Sequence, residues 1–376
     1  MIAFSRNSKS LIANWWWTVD KALLIMIGLI IIIGAFLNFS ASPAVANRIG
    51  VGSFHFIKRQ FFFLPLAVGI MLFLSMQSLK TIRRTAVIGY VLTVIFMIFA
   101  LWGPEVKGAH RWISLCSFSL QPSEFVKPII VVVAAWLFEG QKRYRDFPGD
   151  ILSIGLFGFT LFLLLLQPDV GMSVVVTLVW AFQFFLSGLS LWIVGGMALA
   201  GIVALGGAYL VFPHVQARFN QLFASENNLS YQVKKAMEAF ENGNVFGMGP
   251  GEGVVKMHIP DAHTDFIFAV AAEEYGMLLC LLIVGLYAAI VIRTLMISCK
   301  DNNLFIILAA SGLAASFGLQ SIINMASTLH LMPTKGMTLP FISYGGSSLL
   351  GIALGMGMLL AITRKNVHAE EKDETY

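Results

Sequence analysis

Runs of about twenty apolar residues, separated by short polar turns, recur along most of this chain and dictate what it can become. One such run, coiled as a helix, crosses a hydrocarbon core of about 30 Å. Inside lipid every backbone N–H and C=O must be paired, so only helices or a closed barrel can span it. The runs are continuous rather than alternating, which selects helices. Composition agrees. The chain is 57% hydrophobic and 12% charged, whereas soluble domains are nearer half apolar and a quarter charged. The reading is an all-α polytopic membrane protein with about ten transmembrane helices in one bundle and no separate soluble domain.

The ten expected spans cover residues 22–38, 61–76, 85–102, 125–138, 151–166, 172–189, 191–212, 266–297, 304–328 and 347–362. The eighth is too long for one crossing, and Gly276 is the expected break between an interfacial part and the true span. Arg6 and Lys9 precede the first run, and Ala44 and Ala46 follow it at signal-peptidase spacing. The run is longer than that of a cleaved signal, so an uncleaved first helix is expected. The three cysteines, Cys116, Cys280 and Cys299, carry no nucleophile motif and fall where no structural disulfide is expected.

Charge sets the orientation. The net charge is +5, but no basic face with interleaved aromatics points to nucleic acid. With the N-terminus inside, fourteen of the 25 lysines and arginines fall in cytoplasmic segments and ten outside. The tight turns at Lys80–Arg84 and Lys142–Arg145 decide the sense. The expected organisation is a cytoplasmic segment 1–21, a membrane domain 22–362 and a short cytoplasmic tail 363–376. A large periplasmic loop, 213–265, separates spans seven and eight, and a loop of that length is usually functional.

That loop closes on "DAHTDFIFAVAAEEYG", residues 261–276, where four carboxylates and a histidine meet an apolar run. If a helix starts at Asp265, Glu273 lies about 12 Å further on and turned away. Glu274 points roughly opposite, so the three acids cannot grip one atom. Asp265 alone sits where helix meets interface. Partial desolvation there raises a carboxylate toward the range of a useful base; a helix-capping aspartate would occupy the same position. His258, Asp261, His263 and Asp265 fit no zinc spacing. No tight metal site and no required cofactor are read here. A loosely held magnesium or manganese ion, bridging acid and phosphate, is the one metal role left open. The preceding "GNVFGMGPGEG" is neither a dinucleotide fingerprint nor a phosphate-binding Walker loop. Its glycines allow close backbone approach to a ligand and N–H groups turned toward an anion, or simply a flexible loop.

Charges in or beside spans are costly and usually functional. Glu124 and Lys127 are three apart and share a helix face. Arg111, Lys127, Arg218, Lys256 and Lys335 all map to the outer half, where cations suit a lipid-linked pyrophosphate. Asn324, Ser343, Tyr344, Ser347 and Ser348 are positioned to bond between helices or to a sugar. The substrate-binding candidates are therefore Arg111, Glu124, Lys127, Arg218, Lys256, His263, Lys335 and Ser343, with Asp265 as the catalytic candidate.

The motifs "SASPAVA", "GAHRWI", "QPSEFVKP", "QPDVG", "IPDAHTDFIFAVAAEE" and "LMPTKGMTLPFISYGGSS" together resemble those of the SEDS proteins (shape, elongation, division and sporulation). The match runs from about Asp20 to Arg364. "SASPAVA" is similar to the division-type branch more than to the rod-shape branch. The resemblance implies a peptidoglycan glycosyltransferase that polymerises lipid II at the outer face of the bacterial inner membrane, at the division septum. It also implies a class B penicillin-binding protein with transpeptidase activity as partner, among other division proteins. On the same grounds Asp265 matches the family's essential aspartate, Lys127 the lysine of "QPSEFVK" and Arg111 the arginine of "HRWI". The chain departs from the usual pattern at Val170 and Asp261. A lipid II flippase and a non-catalytic division scaffold are the rival readings. No paired Gly- or Pro-broken segments of the alternating-access kind appear in the two halves.

Overall fold

The computed structural model describes residues 10–106, 108–115, 118–188, 230–333 and 336–365, with scattered positions between 195 and 220. Nine of the ten expected spans are present as helices: α2 (Lys21–Ile49), α3 (His55–Ser75), α4 (Leu79–Ala100), α5 (Ser123–Arg143), α6 (Gly149–Leu166), α7 (Val170–Leu186), α9 (Ile267–Ser298), α10 (Leu304–Thr328) and α11 (Gly346–Ile362). The expected seventh, 191–212, lies outside the described residues apart from those scattered positions. Six of the nine, α2, α3, α4, α6, α9 and α10, are long and apolar enough to cross a membrane, and α7 and α11 are shorter apolar helices.

Helix α5 stands at the centre, packed by α4, α6, α7, α10 and α11. Burial on nearly every side lets it keep Glu124 and Lys127 among its valines, because the two charges pair with each other. Helix α10 is the other central helix, two-thirds buried against about a quarter for the peripheral spans. The peripheral helices expose Phe36, Phe62, Phe73, Ile88, Phe99 and Phe162 outward, the surface expected of helices facing hydrocarbon.

The two ends of the bundle differ. At one end Asp20 receives a two-pronged contact from Arg293 at 2.8 Å and 2.8 Å. Arg83 meets Glu139 there, and the Lys365 N–H donates to the Thr18 carbonyl. The stretches adjoining both termini thus meet at the same end, the one rich in lysine and arginine. The opposite end holds the turns before α5, α7, α9 and α11.

Three elements escape the apolar pattern. Helix α1 (Leu11–Thr18) is short, and α8 (Tyr231–Gly243) lies in the long loop. Strands β1 (Ile113–Leu115) and β2 (Phe118–Leu120) form an antiparallel hairpin with Ile113 opposite Leu120. A second small core joins the end of α2 (Ala41, Val45), α8 (Ala236) and the turn before α9 (Ile259, Ala262, Phe266). The "SASPAVA" segment is therefore helix packed under the long loop, and α2 runs on to Ile49.

Candidate active site at one end of the bundle

Asp265 does not start a helix. Helix α9 begins two residues later, its N-cap is Phe266, and no side chain caps it. Asp265 sits instead in a turn, half-buried. That turn is braced from two directions. From α10, the Asn324 amide donates to the Asp265 carbonyl at 2.9 Å and to the Met337 carbonyl at 2.6 Å. From the loop before α11, the Tyr344 N–H donates to the His263 carbonyl at 2.8 Å, and the Ser343 hydroxyl donates to the Thr264 carbonyl. Gly336, at φ 64°, brings its backbone so close that an added Cβ would lie 3.3 Å from Asp265 Oδ2. The carboxylate thus faces the backbone at Gly336.

Glu273 and Glu274 have other duties. Glu273 accepts the N–H groups of Val255 and Lys256 at 2.6 Å and 2.8 Å. Glu274 takes the Lys256 ammonium and the Ser40 hydroxyl of α2. Lys256 also donates to Ser40 and to the Gly251 carbonyl. The N–H groups that meet the Glu273 carboxylate come from the short turn just after the glycine-rich loop, while the loop's own Met248 and Gly249 N–H groups go to backbone carbonyls of α9. Lys256, expected among the substrate cations, is 2% exposed with its charge engaged inside the protein.

The break in α9 makes this packing. Thirty-two residues would run about 48 Å as a straight helix, well beyond a 30 Å core. Gly276 interrupts it at φ 72°, ψ −172°. Met277 and Leu278 there donate to Asn244 and Val245, while Met248 and Gly249 donate to Glu273 and Glu274.

Arg111 stands just before β1. Its Nη1 lies 3.2 Å from Asp169 Oδ2, and Asp169 Oδ1 caps α7 by accepting Met172 N–H at 3.1 Å. The Arg111 Nε is buried without a hydrogen-bond partner among the described residues. The hairpin is tied to α11, since Gln121 N–H donates to Ser347 Oγ at 3.1 Å. On α5, Lys127 Nζ lies 2.7 Å from Glu124 Oε2 and donates to Gln320 Oε1 at 2.6 Å. Lys127 borders two pockets. One is lined by Glu124, Phe317, Gln320 and Pro340. The other is lined by Val131, Trp180 and Gln183.

His263 is buried between the rings of Phe56 and Tyr344, at 4.5 Å and 5.1 Å. Burial holds its pKa down at about 4, the Asp261 carboxylate opposing and Arg48 reinforcing the effect. It is therefore neutral near pH 7 and no anion-binding cation. Ser343 is buried too, accepting Leu339 N–H and closing its own loop. Arg218 and Lys335 lie outside the described residues. Among the described residues no group of three or more His, Cys, Asp or Glu is gathered to hold a metal ion.

Sequence reasoning paired Glu124 with Lys127 by spacing and picked out Asn324. It missed Gln320, Asp169 and Ser40. Gln320, Asn324 and Thr328 recur every fourth residue in an otherwise apolar helix, a readable sign of one polar face.

Fold and site define a polytopic α-helical membrane protein that gathers a carboxylate, an arginine and buried ion pairs at one end of its bundle. The chain belongs to the cell cycle protein family of FtsW, RodA and SpoVE, whose family model matches residues 20–368. It is 44% identical over 369 residues to a probable peptidoglycan glycosyltransferase FtsW of Caulobacter vibrioides (strain NA1000 / CB15N), covering 96% of this chain and 94% of that one. To the protein of the same name from Coxiella burnetii (strain RSA 493 / Nine Mile phase I) it is 33% identical, covering 92% and 96%. Among solved structures, a chain of a peptidoglycan synthase complex coordinating polymerization and crosslinking superposes with a TM-score of 0.74 at 27% identity, over 93% of this chain and 98% of that one. The rod shape determining protein RodA of Thermus thermophilus gives 0.65 at 26%, over 93% and 97%. The family expected from the motifs is the family found.

Proposed function

We propose that this chain is a peptidoglycan glycosyltransferase that polymerises lipid II at the outer face of the inner membrane during septal wall synthesis, with Asp265 as general base. Family membership and near-full-length likeness to relatives named for that activity support the enzyme class. The observation that carries the role of Asp265 is its placement. Its backbone carbonyl is fixed by Asn324, and its carboxylate faces Gly336, where an added Cβ would lie 3.3 Å from Oδ2.

The reaction is an inverting transfer. The C4 hydroxyl of an N-acetylglucosamine attacks C1 of the N-acetylmuramic acid on the growing lipid-linked strand. Asp265 takes the hydroxyl proton as the new C–O bond forms. The bond from C1 to the pyrophosphate oxygen breaks, and undecaprenyl pyrophosphate leaves. Cations at this end, Arg111 first among the described residues, stabilise the departing charge. The pyrophosphate already activates the sugar, so no nucleotide is needed. General-base help is worth about 10²–10⁴ in rate.

The orientation rests on charge: the end opposite Asp265 carries Lys80, Arg83, Arg84, Lys142 and Arg143, which belong on the cytoplasmic side. Both termini are then cytoplasmic. Likeness to a chain of a peptidoglycan synthase complex supports assembly with a transpeptidase of the penicillin-binding class. The test is reconstitution in vesicles with labelled lipid II. Polymer forming at the face that bears Asp265 is the expected result. Movement of labelled lipid across the bilayer with no polymer would replace this reading with that of a flippase.

A further inference from the structure

The polar face of α10 links two places that the sequence separates widely. Gln320, Asn324 and Thr328 follow one another at single turns, and all three are buried. At the deep end, Gln320 Oε1 accepts the Lys127 ammonium at 2.6 Å. Its own amide donates to the Thr338 carbonyl at 2.9 Å. One turn on, the Asn324 amide bridges the Met337 and Asp265 carbonyls at 2.6 Å and 2.9 Å. Thr328 donates to the Asn324 carbonyl at 2.8 Å and makes a longer contact, 3.4 Å, to the Asp265 carbonyl. The Thr338 hydroxyl is bonded in turn to Ser348 at the start of α11. Residues 337 and 338 directly follow Gly336, the backbone that the Asp265 carboxylate faces. Two side chains on one rigid helix therefore hold both walls of the gap in which that carboxylate sits.

We infer that Gln320 and Asn324 are positioning residues of the transfer reaction: they anchor the 336–338 loop and the Asp265 turn to each other and to the buried Glu124–Lys127 pair. Lys127 then acts as the fixed post of this ladder. Its ammonium, 4% exposed and bonded to Glu124 and Gln320, orients Gln320 so that its amide faces the loop. Hydrogen bonds to a charged donor are the stronger kind, and burial excludes competing water. A carboxylate shifted by about 1 Å from the hydroxyl it must deprotonate loses on the order of 10²-fold in rate. Neither side chain needs to touch substrate for this.

The inference rests on Asp265 being the base, and one experiment separates the two. Polymerisation of lipid II is measured with the purified full chain and its transpeptidase partner, for Asp265→Asn, Gln320→Leu, Gln320→Glu, Asn324→Ala and the Gln320→Leu/Asn324→Ala pair. Expected is a fall in kcat of at least tenfold for each single variant with KM for lipid II within about twofold. The pair should lose no more than its worse member, since both act on one element. Gln320→Glu keeps the volume and the acceptor for Lys127, so it reads the loop contact even if Gln320→Leu fails to fold. Normal kcat in Gln320→Glu and Asn324→Ala, beside an inactive Asp265→Asn, overturns the positioning role alone. A raised KM at unchanged kcat also overturns it, because that would place these side chains on substrate. An active Asp265→Asn overturns the reading beneath it.

Discussion

The Lys256 ammonium and the Glu274 carboxylate form an ion pair from which water is almost wholly excluded, their side chains being 3% and 0% exposed. The pair joins the long loop to α9, and Ser40 draws in α2 as the third member. A buried pair is weak evidence of net stabilisation, but removing one partner strands the other charge. Glu274→Gln and Lys256→Met should each cost about 3–5 kcal/mol. The matched Lys256→Met/Glu274→Met variant should recover most of that loss. Thermal unfolding of the purified protein measures both. Recovery with an unchanged KM for lipid II would also show that Lys256 does not bind substrate.

The break in α9 demands glycine. A Cβ at Gly276 would lie 2.3 Å from the Val245 carbonyl on a backbone at φ 72°, where other residues are strained. Gly276→Ala should release the glycine-rich loop from α9 and lower the melting temperature sharply. Gly285, on the same helix, has no neighbouring atom within 4 Å of an added Cβ. Gly285→Ala should be neutral or gain up to about 1 kcal/mol. Limited proteolysis between residues 243 and 253 distinguishes a released loop from a merely softened one.

His263 gives a pH dependence whose sign is fixed. Burial is its first cause, and it lowers the folded-state pKa from 6.5 to about 4. Below pH 6.5 the unfolded chain takes up a proton that the folded chain refuses, so stability falls as pH falls. The contribution is complete above pH 6.5 and lost by about pH 4, a swing of roughly 3 kcal/mol. Melting temperature measured across that window should drop, and His263→Phe, which keeps a ring between Phe56 and Tyr344, should flatten the drop.

Asp169 carries two functions that a single substitution can separate. Asparagine caps helices as well as aspartate does, so Asp169→Asn should keep the bond to Met172 and change stability by less than about 1 kcal/mol. It removes the charge opposite Arg111. If that pair aims the guanidinium at a pyrophosphate, KM for lipid II should rise severalfold in Asp169→Asn and further in Arg111→Ala. Arg111→Lys should not rescue, because an ammonium lacks the planar fork. Steady-state kinetics on the three variants decides it.

What the sequence disclosed and what it withheld follow from range. Lipid imposes its demand on every twenty-residue block separately, so nine helices could be read locally, as could the Gly276 break and the Glu124–Lys127 spacing. Helices α1 and α8 were invisible for the opposite reason: they are short, and α8 buries only a narrow stripe, Val233, Ala236 and Ala239. The hairpin 113–120 carries too few residues for a period to show. The burial of Lys256 is not legible in the sequence because its partners lie 18 and 216 residues away; an outer-side lysine reads as a substrate cation until Ser40 and Glu274 are seen around it. The eighth span, expected from 266, begins at Ile267, and Asp265 lies in the turn before it. Only the bonds from Asn324, Ser343 and Tyr344 show the turn that frees it from capping duty.

On this reading one carboxylate, Asp265, takes a sugar-hydroxyl proton at this end of the bundle. The most direct measurement compares glycan strand formation from lipid II by purified wild type and by Asp265→Asn, matched for folding by melting temperature. Asparagine keeps the shape and removes the base, so the expected result is a loss of about 10²–10⁴ in rate with the fold intact. Strand formation at the wild-type rate by a folded Asp265→Asn protein would contradict it.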